Sequence, residues 1–402
     1  MFLDPLFMPD IDLSDYEGRE QAYVKHRLLQ RYLPELVYKI NTWRDALVFV
    51  DGFAGPWKTR DPQYADSSFG VAVQTLRECQ EGLKAKGRNF KVGLILVEKD
   101  PGQFKRLEQF AAAKSDERCP IHPIEGEFIK NIPEINKLIQ QTANKPFRFI
   151  LLDPKGWADI PMEALKSFIK GRSSEVVINL MTKDIVRFLD EDTRANSYRN
   201  LFGRDGVLEI LRKIPKEGRA DAAVREYCKS LKQLCEFEYV SSAVVLDPKR
   251  EQIKYFLVYA TNHPKGVEVF KAAENKIAKI QDEIRHEMEL GGQGEFGFAS
   301  ADPASPLARR LHHQYSRRAR KKVIDTLLAN PSVSQIPYSK VFCEGMAFPL
   351  VTPNDLVAWL LALEPNIEIR LEGARRRKPS PIGNDRVVVI DRQRLRAAVN
   401  IQ

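Results

Sequence analysis

Between about residues 20 and 262 the chain alternates short apolar runs rich in β-branched and aromatic residues with longer stretches of helical periodicity. The runs are Leu47 to Val50, Val92 to Val97, Ile121 to Ile124, Phe147 to Leu152 and Val176 to Leu180, and most are nearly continuous in Val, Ile, Leu and Phe. Strands of that composition are covered on both faces, as in a parallel sheet wrapped by crossover helices. Then the pattern changes. Tyr239 to Leu246 and Ile253 to Thr261 flank the turn Asp247-Pro248-Lys249-Arg250, which predicts an antiparallel hairpin closing the sheet.

A parallel sheet that ends in such a hairpin is how class I methyltransferases are built, so the expected fold class is α/β with a Rossmann-like sheet of that kind. Residues 181–236 are mostly charged and helical, including Asp184 to Leu189 and Gly206 to Lys213, and predict an insertion that covers the substrate. Phe270, Ala273, Ile277, Ile280, Ile284 and Met288 then recur at steps of three and four, giving a helix with one apolar stripe packed on the same domain. Residues 291–306 are rich in Gly, Ser, Ala and Pro and lack periodicity, so they separate a domain at 1–290 from another at 307–402. The second domain shows helical patterns at Arg320 to Ala329, at Tyr338 to Gly345 and, behind Thr352 and Pro353, at Asp355 to Leu363. Strands Ile367 to Leu371 and Arg386 to Ile390 follow, joined by a basic loop. Three helices and a hairpin with a basic tip predict a winged helix.

The net charge of +9 is concentrated in that domain, for residues 301–402 hold 17 Lys and Arg against 9 Asp and Glu. In RRLHHQYSRRARKK, seven cations, Arg309, Arg310, Arg317, Arg318, Arg320, Lys321 and Lys322, stand without an acid, and Arg375, Arg376, Arg377 and Lys378 crowd the wing tip. A solvated basic face is the plain reading, but this concentration of charge favours phosphate contacts and a nucleic-acid partner. The first ten residues, MFLDPLFMPD, put no basic cluster ahead of an apolar run, and the apolar stretch LVAWLLAL is too short to span a bilayer. A cytoplasmic protein with no membrane partner is expected. Cys79, Cys119, Cys228, Cys235 and Cys343 lack zinc-ligand spacing, so they are expected as reduced structural thiols, and no metal site is expected.

Chemistry is written at the strand ends. Asp51, Gly52, Phe53, Ala54 and Gly55 follow the first strand, where glycine lets a backbone approach a ligand closely; in methyltransferases this turn meets the methionine part of S-adenosylmethionine. Glu98, followed by Lys99, ends the second strand, where a carboxylate accepts hydrogen bonds from two ribose hydroxyls. After the third strand come Glu125, Glu127 and Phe128, where groups around the adenine are expected; Glu125 is the candidate, Glu127 stays open beside it, and a capping role fits either acid. The longer spacing between Asp51 and Glu98 makes KTRDPQYADSSFG loop out near the cofactor. Asp153 ends the fourth strand in LLDPKGW, a segment that partly resembles the Asp-Pro-Pro-aromatic motif of amino-methyltransferases. Asp153 is the candidate acceptor of a nucleophile's proton beside the methyl donor, Trp157 the candidate stacking platform, and Lys155 a candidate base if desolvated. Lys25 and His26 head an amphipathic helix, and a helix-end His is more often structural.

Taken in order, KHRLLQRYL, VDGFAGPW, SSFG, LVEKD, LLDPKGW, LFG and YFLVYATNH resemble the three-Cys-motif partner proteins over about residues 20 to 265. Trp57 stands where that family commonly has glycine, and Lys155 where it has phenylalanine. The resemblance implies a methyltransferase-like domain that binds S-adenosylmethionine, and a radical-SAM-like three-Cys-motif protein as partner. The leading expectation is a methyltransferase acting on nucleic acid, RNA before DNA and nitrogen before oxygen. The alternatives are a noncatalytic partner that binds the cofactor or nucleic acid, and a protein or peptide methyltransferase.

Overall fold

The computed structural model describes residues 11–55, 59–157, 159–170, 173–289, 305–330, 334–363, 366–371, 374–375 and 386–400. The chain divides into two compact units, one of residues 1–237 and 245–262, the other of residues 238–244 and 263–402.

The first unit opens with α1 (Glu20–Ile40), β1 (Ala46–Asp51), α2 (Ser68–Lys84), β2 (Lys91–Glu98), α3 (Pro101–Lys114), β3 (Ile121–Glu125) and α4 (Ile132–Thr142). It continues through β4 (Phe147–Leu152), α5 (Met162–Ile169), β5 (Ser174–Leu180), α6 (Thr182–Arg187), α7 (Ala195–Phe202), α8 (Val207–Arg212) and α9 (Arg219–Leu234). Strands β6 (Tyr239–Leu246) and β7 (Ile253–Thr261) complete a seven-stranded sheet of order β3-β2-β1-β4-β5-β7-β6. Strands β1 to β5 pair in parallel and β7 runs antiparallel to β5, the Rossmann-like sheet of class I methyltransferases. The chain leaves β1 for β2 on one side and later returns to β4 on the other, which opens a crevice at the carboxyl ends of these strands.

Local chemistry fixes where the helices begin. The Ser67 hydroxyl accepts from Gly70 N at 3.0 Å to start α2, and the Asp100 carboxylate accepts from Gln103 N at 2.9 Å to start α3. Every residue of β1, β4 and β5 is buried, polar ones included. Glu175 is kept in that core by hydrogen bonds from Tyr32 and, at 3.0 Å, from Thr261 Oγ1, while Tyr32 and Tyr259 share a hydroxyl contact of 2.9 Å. Burial still pushes the Glu175 carboxyl above its ordinary range.

The second unit contains α10 (Pro264–Glu289), α11 (Pro306–Leu328), β8 (Gln335–Pro337), α12 (Tyr338–Gly345), α13 (Pro353–Ala362), β9 (Ile367–Leu371), β10 (Ala374–Arg375), β11 (Arg386–Ile390) and α14 (Arg392–Asn400). Its sheet, of order β10-β9-β11-β8, is antiparallel throughout. Helix α10 belongs here and not with the first domain, as its sequence position suggested. Lys271 of α10, 0% exposed, donates to Glu274 and to Phe348 O at 2.8 Å, and Glu274 Oε1 accepts from Leu350 N at 2.8 Å. The buried pair thereby satisfies backbone groups of the loop ahead of α13. Helix α13 starts in a capping box, with Thr352 N donating to Asp355 at 2.7 Å and Asp355 N to Thr352 Oγ1 at 3.2 Å.

Helix α11 is longer than the expected Arg320 to Ala329, so the basic run lies on its surface. Leu307, Leu311, Tyr315, Ala319, Val323 and Leu327 bury one face at steps of four, while Arg309, Arg310, Arg317, Lys321 and Lys322 stay exposed. Arg318 lies over the Tyr315 ring at 5.9 Å and Lys322 reaches Glu344 at 3.5 Å. Arg375 sits in β10, whereas Arg376, Arg377 and Lys378 lie outside the described residues, as does most of 291–306.

Candidate functional site

A cleft of about 740 Å³ opens at the carboxyl ends of β1 to β5 and is walled on one side by the first turns of α1. The ends of β1, β2, β3 and β4 reach it, together with Asn179 of β5.

The turn after β1 is stitched to both neighbouring strands. Gly52 N donates to Leu151 O at 3.0 Å and Ala54 N to Val97 O at 2.8 Å. Asp51 accepts from Phe53 N at 3.0 Å and from Ser68 Oγ at 2.6 Å, and burial pushes its carboxyl up to about 6. Gly52, Phe53 and Gly55 line the cleft, while Asp51 and Ala54 lie behind them and hold the turn in place. A side chain at Gly52 would put its Cβ 2.7 Å from Leu152 Cδ2 and 3.0 Å from Phe128 Cδ2, so a larger residue there requires those two side chains to shift. Thr59, Asp66, Ser67 and Ser68 bring the expected loop to the cleft wall, where Arg19 pairs with Asp66. Trp57 lies outside the described residues.

Glu98 lines the cleft at 5% exposure, with Oε1 accepting from Asp100 N at 2.7 Å. Lys99 also lines it and reaches Asp159 at 3.8 Å. Gly126 follows β3 with φ +121, a conformation that favours glycine, and its N–H donates to Glu98 O at 2.9 Å. The chain then presents Glu127, Phe128 and Ile129 to the cleft. Glu125 is exposed and is not part of the lining, so the acid placed here is Glu127: the reversal at Gly126 separates the two.

Asp153 stands between two donors from distant elements. Lys25 of α1 pairs with one oxygen, and Asn179 Nδ2, from β5, donates to the other at 2.6 Å. Lys155 borders the same cleft, and burial lowers its ammonium below the usual lysine range although Glu98 and Asp100 pull the other way. Trp157 is not an open platform. It is 6% exposed, its ring packs on Tyr198 of α7 at 4.8 Å, and it is not part of the cleft lining.

Several members of the site were read in the sequence as structural or were not singled out. Lys25 and His26 both line the cleft; His26 Nδ1 meets Tyr16 OH at 2.8 Å. Burial, then Lys25 and Arg19, hold the His26 imidazole well below its ordinary range, so it is neutral. Tyr255 lines the cleft while donating to Gln21 O at 2.8 Å. Asn179 carried a legible signal, since it is the polar residue near the end of a buried apolar strand, like Asp51, Glu98 and Asp153. Among the described residues no three His, Cys, Asp or Glu gather as a metal site, and no helix is long and apolar enough to cross a membrane.

No protein-family model matches the chain, and no curated protein matches it. Among solved structures it is similar to a DUF574 family protein from Streptomyces avermitilis, at 11% identity over 62% of this chain and 87% of that one, with a TM-score of 0.33. The O-methyltransferase TomG from Streptomyces achromogenes, in complex with SAM, is similar at 14% identity over 64% and 93%, with a TM-score of 0.31. Human methyltransferase-like protein 13, in complex with SAH, is similar at 13% identity over 70% and 95%, with a TM-score of 0.29. Likenesses this distant carry nothing about activity or substrate; the fold rests on the strand order.

Proposed function

We propose that the cleft binds S-adenosylmethionine and that the chain is a methyltransferase acting on nucleic acid, on RNA in preference to DNA and on nitrogen in preference to oxygen. The observation that carries this reading is the convergence of the Gly52 turn, Glu98 and Asp153 on one cleft at the sheet's switch point. Gly52, Phe53 and Gly55 would hold the methionine part, Glu98 the ribose hydroxyls, and Phe128 with Ile129 the adenine. The group fits because the Gly52 turn presents backbone without a side chain to the cleft, and because Glu98 keeps a carboxylate in the wall.

When bound, the cofactor supplies a methyl group activated on a sulfonium. The chain's own part is to position the nucleophile. Asp153, with its oxygens held by Lys25 and Asn179, accepts the N–H of an incoming amine and orients it. The exposed cations of α11 favour a phosphate-rich substrate, and the order helix, strand, helix, helix, hairpin of the second unit reads as a winged helix. Helix α13, which occupies the place of a base-reading third helix, carries no Lys or Arg. Grip through phosphates rather than through duplex base edges suits a structured RNA.

A second reading, a noncatalytic partner of a three-Cys-motif protein, draws support from the ion pair that joins Lys25 of KHRLLQRYL to Asp153 of LLDPKGW. Calorimetric titration with S-adenosylmethionine, followed by tritiated methyl transfer to total tRNA, rRNA, DNA and protein, separates the readings. Label in RNA that disappears in Asp153→Asn supports methylation. Binding without transfer favours the partner, label in protein changes the substrate class, and no binding removes both readings.

A further inference from the structure

Beside the cleft lies a second cavity of about 380 Å³, walled by the start of α1, the connection from β5 into α6, and the turn between β6 and β7. Gln21 and Met181 line both spaces, so the two adjoin. Gln21 is pinned at that border by the hydrogen bond from Tyr255. Met181 follows Asn179, which holds Asp153, by two residues.

Seven charged residues line the cavity: Lys183, Lys249, Arg250 and Lys254 against Glu20, Asp184 and Asp247. Two of the acids are already engaged. Glu20 accepts from Gly18 N at 2.8 Å. Asp247 is turned onto its own loop, where it accepts from Lys249 N at 3.1 Å and Gln252 Nε2 at 3.2 Å, with Lys254 at 3.8 Å. Burial opposes its ionisation, yet those hydrogen bonds hold the carboxyl below its ordinary range. Lys183 and Lys249, by contrast, are exposed and form no ion pair among the described residues. The hairpin turn thus holds Asp247 to its own geometry and leaves Lys249 to the cavity.

We propose that this cavity is an anion subsite that holds a phosphate of the molecule methylated in the adjoining cleft, an inference that rests on reading that cleft as the methyl-donor site. A nucleotide whose base reaches Asp153 would carry its phosphate past Met181 toward Lys183 and Lys249. Lysine suits the task as a point charge for phosphate oxygens.

The test is calorimetric titration of the full chain with inorganic pyrophosphate, beside a separate titration with S-adenosylhomocysteine. Three proteins are compared: wild type, Lys183→Gln/Lys249→Gln, and Arg317→Gln/Lys321→Gln, which removes cations of α11. Pyrophosphate affinity should fall about tenfold or more in the Lys183/Lys249 variant, the size of one lost charge-assisted hydrogen bond. It should survive in the α11 variant and return in Lys183→Arg/Lys249→Arg, with S-adenosylhomocysteine affinity equal throughout. Wild-type pyrophosphate affinity in Lys183→Gln/Lys249→Gln would overturn the proposal, as would no binding to wild type or loss of both ligands together. Absence of S-adenosylhomocysteine binding in wild type would instead remove the cofactor reading, while the pyrophosphate comparison still decides whether the cavity takes anions.

Discussion

Lys25 of α1 and Asp153 at the end of β4, separated by 128 residues of sequence, form an ion pair at the cleft in which the Asp153 side chain is 24% exposed and Lys25 10%. Breaking a largely buried pair leaves one charge without its partner, so Lys25→Met should cost about 2 to 3 kcal/mol, below the full buried value because Asp153 keeps some solvent. Lys25→Met/Asp153→Leu should recover part of the loss. Urea unfolding of the two variants checks this, and a Lys25→Met protein as stable as wild type would remove the pair from the account.

Glu98→Gln keeps the acceptor for Asp100 N but removes the charge offered to a ribose. Affinity for S-adenosylhomocysteine should drop about tenfold to a hundredfold, as for a charge-assisted hydrogen bond. Calorimetry gives the answer, and unchanged affinity takes Glu98 out of the binding site.

Gly52→Ala brings a methyl against Leu152 and Phe128 at the distances given for its Cβ. Overpacking of this kind should cost about 1 to 3 kcal/mol and weaken cofactor binding in parallel. A crystal structure or an unfolding curve identical to wild type would show that the turn has room after all.

Asp51 yields a pH dependence with a defined sign. Its carboxyl titrates near 3.8 when unfolded and at about 6 in the folded chain, raised by burial. The folded state therefore holds the proton more tightly; the contribution to stability is full below the lower value and is lost as pH rises through the upper one. In Asp51→Asn that titration is gone, so stability relative to wild type should rise by about 3 kcal/mol between about pH 4 and pH 6. Unfolding free energies across this window decide it; a flat difference contradicts the assignment.

In the second unit His312 meets Asp355 at 3.1 Å, and that hydrogen bond raises the imidazole above its ordinary range. The pair's contribution is present below the usual histidine value and fades as pH rises through the folded one. In Asp355→Asn, His312 should release its proton at lower pH, which histidine ring NMR titration follows directly.

The sequence foretold strands β4, β6 and β7 to the residue, because an apolar run stops where its side chains leave the core. Strands β1 and β2 run on to Asp51 and Glu98, where pairing continues past the last apolar residue and the acids are buried with it. The glycine turn and the strand-end acids were legible for that reason. The roles of Lys25 and Asn179 were not, even though the polar place of Asn179 in β5 was visible, since each takes its role from Asp153, 128 and 26 residues away. Trp157 depended on Tyr198, whose helix lies within the charged stretch that periodicity described only as an insertion. Likewise, the apolar stripe of α10 announced a packed helix but holds no mark of which unit covers it, so the helix was expected on the first domain; nor did the stripe show Lys271, Glu274, Gln281, Asp282 and Arg285 buried alongside.

Lys271 has a use outside the native fold. Its amine has no solvent contact, and it is tied to Glu274 and Phe348 O, so an acylating reagent reaches it only when the second unit opens. Lys271 is thus a native clock, and the rate of its acylation times the opening of the second unit alone.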